Sequence, residues 1–295
     1  MAREFSEATT NPEQNEKAKV VLHIFRHSKG EPKGEGIVDA QRQLKPEGRE
    51  LAARQSMAQG GTYALAFGSP RIRAQQTAAI MMQPELGQEK DHAALLKKLN
   101  QGLEYGSRVG EDERLDFDDN FSTPYGKIWK SHFDKTYLTY VVNGSDADAV
   151  QLGDKDAITY SRMASNVASL VLKYTSVSKQ WDKMTIDEPE KYSSATLERF
   201  MGSHGGVPES FLAKVIELTK GKSERDNFVA AVGECFRETE GIDVEIMSDE
   251  QNPTITIRYT KEENGNKVYE FNETVPLELI KKIYDSGKPK SDEVT

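Results

Sequence analysis

The sequence has a single cysteine, Cys235. One cysteine excludes a disulfide within the chain and any multi-cysteine metal site, and fits a reducing compartment; the expectation for Cys235 is a small buried side chain in a helix. Long apolar runs are also lacking. The longest, such as 20–25, fall well short of the roughly 20 residues that cross a bilayer. The first seventeen residues are polar and lack the apolar stretch of a signal peptide, so they read as a disordered leader. Basic residues are outnumbered, 39 Lys and Arg against 48 Asp and Glu, for a net charge of -9. That balance argues against wide nucleic-acid contact, which needs a field of cations. The hydrophobic share is low at 36%, as expected of a compact unit carrying polar loops and ends. A cytoplasmic protein with no membrane and no nucleic-acid partner follows as the expectation.

What is present is a strand and helix rhythm. Val20-Val21-Leu22-His23-Ile24-Phe25 is nearly continuously apolar and ends in Arg26-His27, the pattern of a central strand buried on both faces of a parallel sheet. Leu44-Lys45-Pro46-Glu47-Gly48-Arg49 places Pro and Glu at a helix start, and Gly60-Gly61 should end that helix. A second strand is expected over 63–67. Ser69-Pro70 then reads as an N-cap with Pro at the first helical position, opening a helix to about Met82. Residues 196–201 read as a third strand, and Val207, Phe211, Leu212, Val215 and Ile216 form the apolar face of the helix after it. Further on, runs at 244–247, 254–259 and 269–271 surround the turn Glu263-Asn264-Gly265-Asn266 and predict an edge hairpin.

The fold class is therefore α/β: an open, mostly parallel sheet flanked by helices, with a capping insertion and an edge hairpin near the C-terminus. One domain over 18–285 is expected, with the insertion at about 88–155 and a frayed tail over 286–295. The insertion departs from the rhythm, and the only clearly amphipathic helix in the middle of the chain carries Met163, Val167, Leu170 and Val171.

Three motifs each follow a predicted strand: Arg26-His27, Gly68-Ser69-Pro70-Arg71-Ile72-Arg73 and Gly202-Ser203-His204-Gly205-Gly206. Ligands of open parallel sheets bind beyond the carboxyl ends of the strands, so the motifs should converge on one crevice. Arg73 lies early in its helix and leans back toward the same place. Two guanidiniums and two imidazoles make a site for an anion with several oxygens, and phosphate matches the fork of Arg best. An imidazole is an adequate nucleophile toward phosphorus, and cations can neutralise the transferring group without a metal. Arg71 reads as a surface residue, His23 as packed in the sheet, and His92 and His132 as solvated or lid residues.

The motifs Phe25-Arg26-His27-Ser28, Ser69-Pro70-Arg71-Ile72-Arg73-Ala74-Gln75-Gln76-Thr77-Ala78 and Ser203-His204-Gly205-Gly206, with the Leu44 to Arg49 link between the first two, resemble those of the histidine phosphatase superfamily, the phosphoglycerate-mutase-like fold, in its His-Gly-Gly branch. The resemblance spans about residues 19–220. It implies a phosphohistidine on His27, phosphoryl clamping by Arg26 and Arg73, support from His204, and no metal or other cofactor. It implies a small phosphorylated substrate or a phosphorylated side chain as partner, and is silent on oligomeric state.

Two departures stand out. Mutases of the family follow the histidine with Gly-Glu-Ser, whereas this chain reads His27-Ser28-Lys29-Gly30, which favours hydrolysis over phosphoglycerate-mutase-type transfer. The branch usually takes its general acid from a Leu-x-Glu strand, and here that Glu position reads Phe117. Asp116, Asp118 and Glu113 are the substitutes, with Asp116 preferred because strand alternation sets it opposite Leu115 and Phe117. A phospho-ligand-binding protein that has lost its acid is the non-enzymatic alternative.

Overall fold

The computed structural model describes residues 18–34, 38–56, 63–103, 106–117, 121–133, 136–192, 196–249 and 252–288. The leader, the Gly60-Gly61 helix end, Asp118 and most of the predicted tail lie outside the described residues.

β1 (Lys19–Arg26) is followed by α1 (Pro46–Arg54), β2 (Leu65–Gly68) and α2 (Ile72–Met82). α3 (His92–Leu99), β3 (Val109–Glu111), α4 (Pro124–Ser131), α5 (Tyr137–Asn143) and α6 (Ser145–Leu152) come next, then α7 (Tyr160–Asp187) and α8 (Pro189–Tyr192). β4 (Thr196–Ser203), α9 (Val207–Lys220), α10 (Lys222–Val232), β5 (Gly241–Met247), β6 (Thr254–Glu263), β7 (Asn266–Val275) and α11 (Leu277–Ser286) complete the chain. The seven strands form one sheet in the order β3-β2-β4-β1-β5-β6-β7. The first four are parallel, while β5, β6 and β7 add antiparallel neighbours, with β6 and β7 as the edge hairpin. The expected α/β fold is thus observed, its parallel half holding the three motif-bearing strands.

Alternation along β1 explains the layering. Val20, Leu22 and Ile24 are fully buried in the larger core, among residues of α7, α9 and α11, whereas Phe25 joins Phe200, Ala66 and the apolar face of α2 in a smaller core on the opposite side. α2 lies very close on the strand ends. A side-chain carbon at Gly202 would meet the Ala74 carbonyl oxygen at 2.1 Å, and one at Gly68 would meet the Gln75 nitrogen at 2.5 Å. Only glycine permits this approach, which sets the start of α2 over the ends of β2 and β4.

Several local expectations are corrected. α2 begins at Ile72, and Ser69 is not its side-chain cap; the Ser69 N–H is taken by the Gly202 carbonyl (3.1 Å) and its hydroxyl by His204. The hydroxyl also accepts the Arg71 N–H at 3.3 Å, so it joins the turn before α2 to His204. Cys235 lies past the end of α10 rather than in a helix, because Gly233 at φ 81° breaks the helix there. The 88–155 region is more regular than its sequence suggests, holding α3, β3, α4, α5 and α6. Side chains start three of the middle helices: Asp91 for α3, Thr123 for α4 and Thr159 for α7.

Candidate active site

His27 stands just past β1, its backbone N–H held by the Ser203 carbonyl at 2.8 Å. The next residue is held by two bonds, one of them to a hydroxyl that is itself anchored. Ser28 N–H donates to Thr77 Oγ1 (3.0 Å), Ser28 Oγ donates to the Gly48 carbonyl (2.7 Å), and Thr77 Oγ1 donates to the Arg73 carbonyl (2.7 Å). The helix link motif also has a physical reason: a side chain at Gly48 would strike the Lys29 carbonyl oxygen at 2.2 Å. Gln76 accepts the Leu44 N–H at 2.7 Å, and Gln75 donates to Glu111 at 3.1 Å, tying α2 to the link and to β3. The polar residues of the second motif therefore splice α1, α2 and β3 around the histidine loop.

His27 Nδ1 lies 2.6 Å from the Ser28 carbonyl oxygen. A carbonyl can only accept, so Nδ1 carries the proton and Nε2 keeps its lone pair. Nε2 accepts from Arg73 Nε at 3.0 Å. Burial pushes the His27 pKa well below its ordinary value, with His204, Arg73 and Arg26 adding repulsion. Burial likewise brings His204 down to about 4, although Asp116 pulls the other way. Both rings are neutral at pH 7, and they meet edge to face with centroids 5.0 Å apart.

The four residues picked out by the motifs, Arg26, His27, Arg73 and His204, border one cavity of about 280 Å³. Arg26 is anchored from behind: both hydrogens of NH1 are used, on the Phe236 carbonyl (2.6 Å) and Cys235 Sγ (3.0 Å). Phe236 is fixed in turn by the fully buried Glu209, which accepts the Phe236 N–H (2.6 Å) and the Gly206 N–H (2.8 Å). Burial raises the Glu209 carboxyl to about 7 despite these donors, and burial pushes the Cys235 thiol up to about 12. Cys235 is therefore a neutral lining group.

Asp39 is a site residue that sequence reasoning missed. Its carboxylate accepts from Arg73 NH2 (2.8 Å), Arg42 NH1 (2.6 Å) and Arg71 NH1, and its carbonyl accepts from Arg73 NH1 (2.8 Å). Burial opposes its ionisation, but the three guanidiniums hold its pKa far below the usual range. Nothing in its local pattern marks it; the signal is the closure of a loop between β1 and α1. Arg71, read as a surface residue, is buried instead, at 6% exposed. It spans Asp39, Asp116 Oδ1 (2.8 Å) and the Phe117 carbonyl (2.7 Å), because its helix start faces two acidic loops.

Asp116 reaches His204, with Oδ1 3.1 Å from Nε2, which also lies 2.7 Å from Ser69 Oγ. Burial works against ionising Asp116, yet the bonds from His204 and Arg71 hold it below the usual carboxylate range. Glu113 is not brought to the four residues. It lines a separate cavity of about 500 Å³ that Arg71, Asp39 and Asp116 also border. Glu234, passed over in the sequence, lines the His27 cavity directly, as does Phe117.

His23 packs in the sheet as expected, at 7% exposed, while His132 stacks on Tyr140 at 4.0 Å and His92 is half-buried. Among the described residues no helix is long and apolar enough to cross a membrane.

No family model and no curated protein matches the chain. Solved structures do. A mycobacterial hydrolase is 12% identical over 91% of this chain and 97% of its own, with a TM-score of 0.39. A phosphoserine phosphatase variant from Entamoeba histolytica, in complex with phosphoserine, is 14% identical over 81% of this chain and 94% of its own, with a TM-score of 0.35. A mycobacterial glucosyl-3-phosphoglycerate phosphatase is 15% identical over 78% and 90%, with a TM-score of 0.33.

Proposed function

We propose that this chain is a metal-independent phosphomonoesterase that passes the phosphoryl group through His27. The observation that carries the reading is the unprotonated Nε2 of a neutral, half-buried His27, held by Arg73 Nε at 3.0 Å at the wall of a cavity shared with Arg26, Arg73 and His204. A neutral imidazole is the nucleophilic form, and the carbonyl on Nδ1 stabilises the positive charge that develops as Nε2 bonds to phosphorus. As the P–N bond forms and the ester P–O bond breaks in line, Arg26 and Arg73 take the charge that spreads over the equatorial oxygens. Water then attacks the phosphohistidine and releases inorganic phosphate and free His27.

The leaving oxygen needs a proton when its conjugate acid is weak. Asp116, which borders the neighbouring cavity but touches His204 at 3.1 Å, is assigned that role, with Glu234, which lines the His27 cavity itself, as the competing donor. Resting Asp116 is ionised, and a phosphate dianion arriving beside it raises its affinity for the proton by like-charge repulsion. Asp116→Asn should then slow alkyl phosphates far more than p-nitrophenyl phosphate, whose phenolate leaves unprotonated. Equal slowing of both removes Asp116 from the role, and the same comparison on Glu234→Gln tests the competitor. The low pKa of Asp116 and the ring at the expected acid position also favour a second reading, a phospho-ligand-binding protein with reduced catalysis.

The test is a turnover assay on p-nitrophenyl phosphate with trapping of labelled enzyme by an alkaline SDS quench, in which a phosphohistidine is stable, in the presence of EDTA. The proposal expects turnover that survives chelation and a phosphohistidine that disappears in His27→Ala. Binding without turnover establishes the second reading, and loss of turnover in EDTA with recovery on a divalent ion removes the metal-independent assignment.

A further inference from the structure

The cavity wall beside the proposed phosphoryl site is aromatic. Phe117, Phe133 and Tyr137 line the same cavity as His27 and the two arginines. Phe117 is fixed: Arg71 holds its carbonyl at 2.7 Å and stacks 5.0 Å from its ring centroid, and the ring meets His204 edge to face at 5.3 Å. The buried Tyr137 spends its hydroxyl hydrogen on the Gly205 carbonyl at 3.1 Å, so that polar tip is satisfied within the protein. Phe133 packs on Tyr137 at 5.3 Å and against Phe121 at 5.3 Å, yet remains 48% exposed.

A single exposed phenylalanine is ordinary on a protein surface. One continuous with the buried Tyr137 and the half-buried Phe117 at a cavity beside an anion site is a binding wall. A polyol phosphate would give up bonds to water there and find few replacements, chiefly Glu234 and the neutral Cys235 thiol. An aromatic group would instead meet rings in the offset and edge-to-face arrangements that favour it.

We infer that the substrate is a phosphomonoester carrying an aromatic ring within three bonds of the ester oxygen, the chemistry of a phosphorylated tyrosyl side chain. This rests on the phosphatase reading above. Such a substrate places its phosphate among Arg26, His27, Arg73 and His204 and its ring against Phe117 and Phe133. It also accommodates Phe117 at the expected acid position, since a phenolate leaves with less need of a proton than an alkoxide.

Leaving-group acidity must be separated from ring binding, so the test compares 2-phenylethyl phosphate with n-propyl phosphate, whose alcohols are similarly weak acids. The expected result is a kcat/KM at least about tenfold higher for the phenylethyl ester, from ring burial and ring contacts. In Phe133→Ala that ratio should shrink at least threefold. Turnover of both esters with a ratio near one, or a ratio that Phe133→Ala leaves unchanged, overturns the aromatic inference while the phosphatase reading stands. If neither ester nor p-nitrophenyl phosphate is hydrolysed and no phosphohistidine forms, the phosphatase reading fails and the inference falls with it.

Discussion

β1 carries a buried histidine in its middle and leads into a half-buried one four residues on, and their surroundings give them different charge states. His23 lies within the strand, its Nδ1 2.7 Å from Asp243 Oδ1 and its Nε2 3.5 Å from Glu198 Oε1. Burial alone would lower its pKa, but the two carboxylates overcome that and raise it to about 9. His27, just past the strand, has arginines and a second histidine for neighbours, so burial and repulsion act together and it stays neutral. Burial penalises the cation at both positions. The neighbours decide, and they are chosen by the topology: β1 sits between β4 and β5, which bring Glu198 and Asp243 to its middle, while α2 brings Arg73 to its end.

The comparison is broken most severely by removing Arg73. Arg73→Ala deletes both the proposed phosphoryl clamp and the donor on His27 Nε2, and should cost on the order of 3 kcal/mol of barrier, roughly a hundredfold in kcat. It should also let the His27 pKa climb toward the ordinary value, because one source of repulsion is gone. Steady-state kinetics and an NMR titration of the variant check the two parts separately.

A smaller effect separates the other member of the pair. The folded-state pKa of His23 is raised, so its contribution to stability is fully present below the unfolded value near 6.5 and is lost as pH rises through about 9. Between pH 6.5 and 9.5 this amounts to about 2 kcal/mol, discounted because Asp243 is partly exposed. His23→Gln should flatten the decline, as seen in urea unfolding at the two pH values. The smallest effect runs in the opposite direction. His204 has a depressed folded pKa of about 4, so its contribution is present above pH 6.5 and is lost as pH falls toward 4. His204→Gln should remove about 1 kcal/mol of the stability loss between pH 6.5 and 5.5, measured by the same unfolding experiment.

The pair also shows which parts of the molecule local sequence can reveal. Apolar continuity marks β1, and Pro with Glu marks the start of α1, because burial and helix geometry impose those patterns within a few residues. The motif residues Arg26, His27, Arg73 and His204 were legible for the same reason, each lying at a strand end or the start of a following helix. β3 was not, since three residues carry too little periodicity. Asp39, Glu234 and the buried state of Arg71 were not legible either, because each depends on loop closure across distant segments. Ser69 was misassigned as a cap because Ser before Pro carries that meaning locally, while the Gly202 carbonyl and His204 claim it in the fold.

The contrast along β1 is tested most directly by imidazole ¹⁵N NMR at pH 7, with signals assigned through His23→Gln and His27→Asn. The account predicts two protonated nitrogens on His23, and on His27 one protonated nitrogen at Nδ1 and one bare nitrogen at Nε2. A doubly protonated His27 at pH 7, or a bare nitrogen at Nδ1 rather than Nε2, would contradict it.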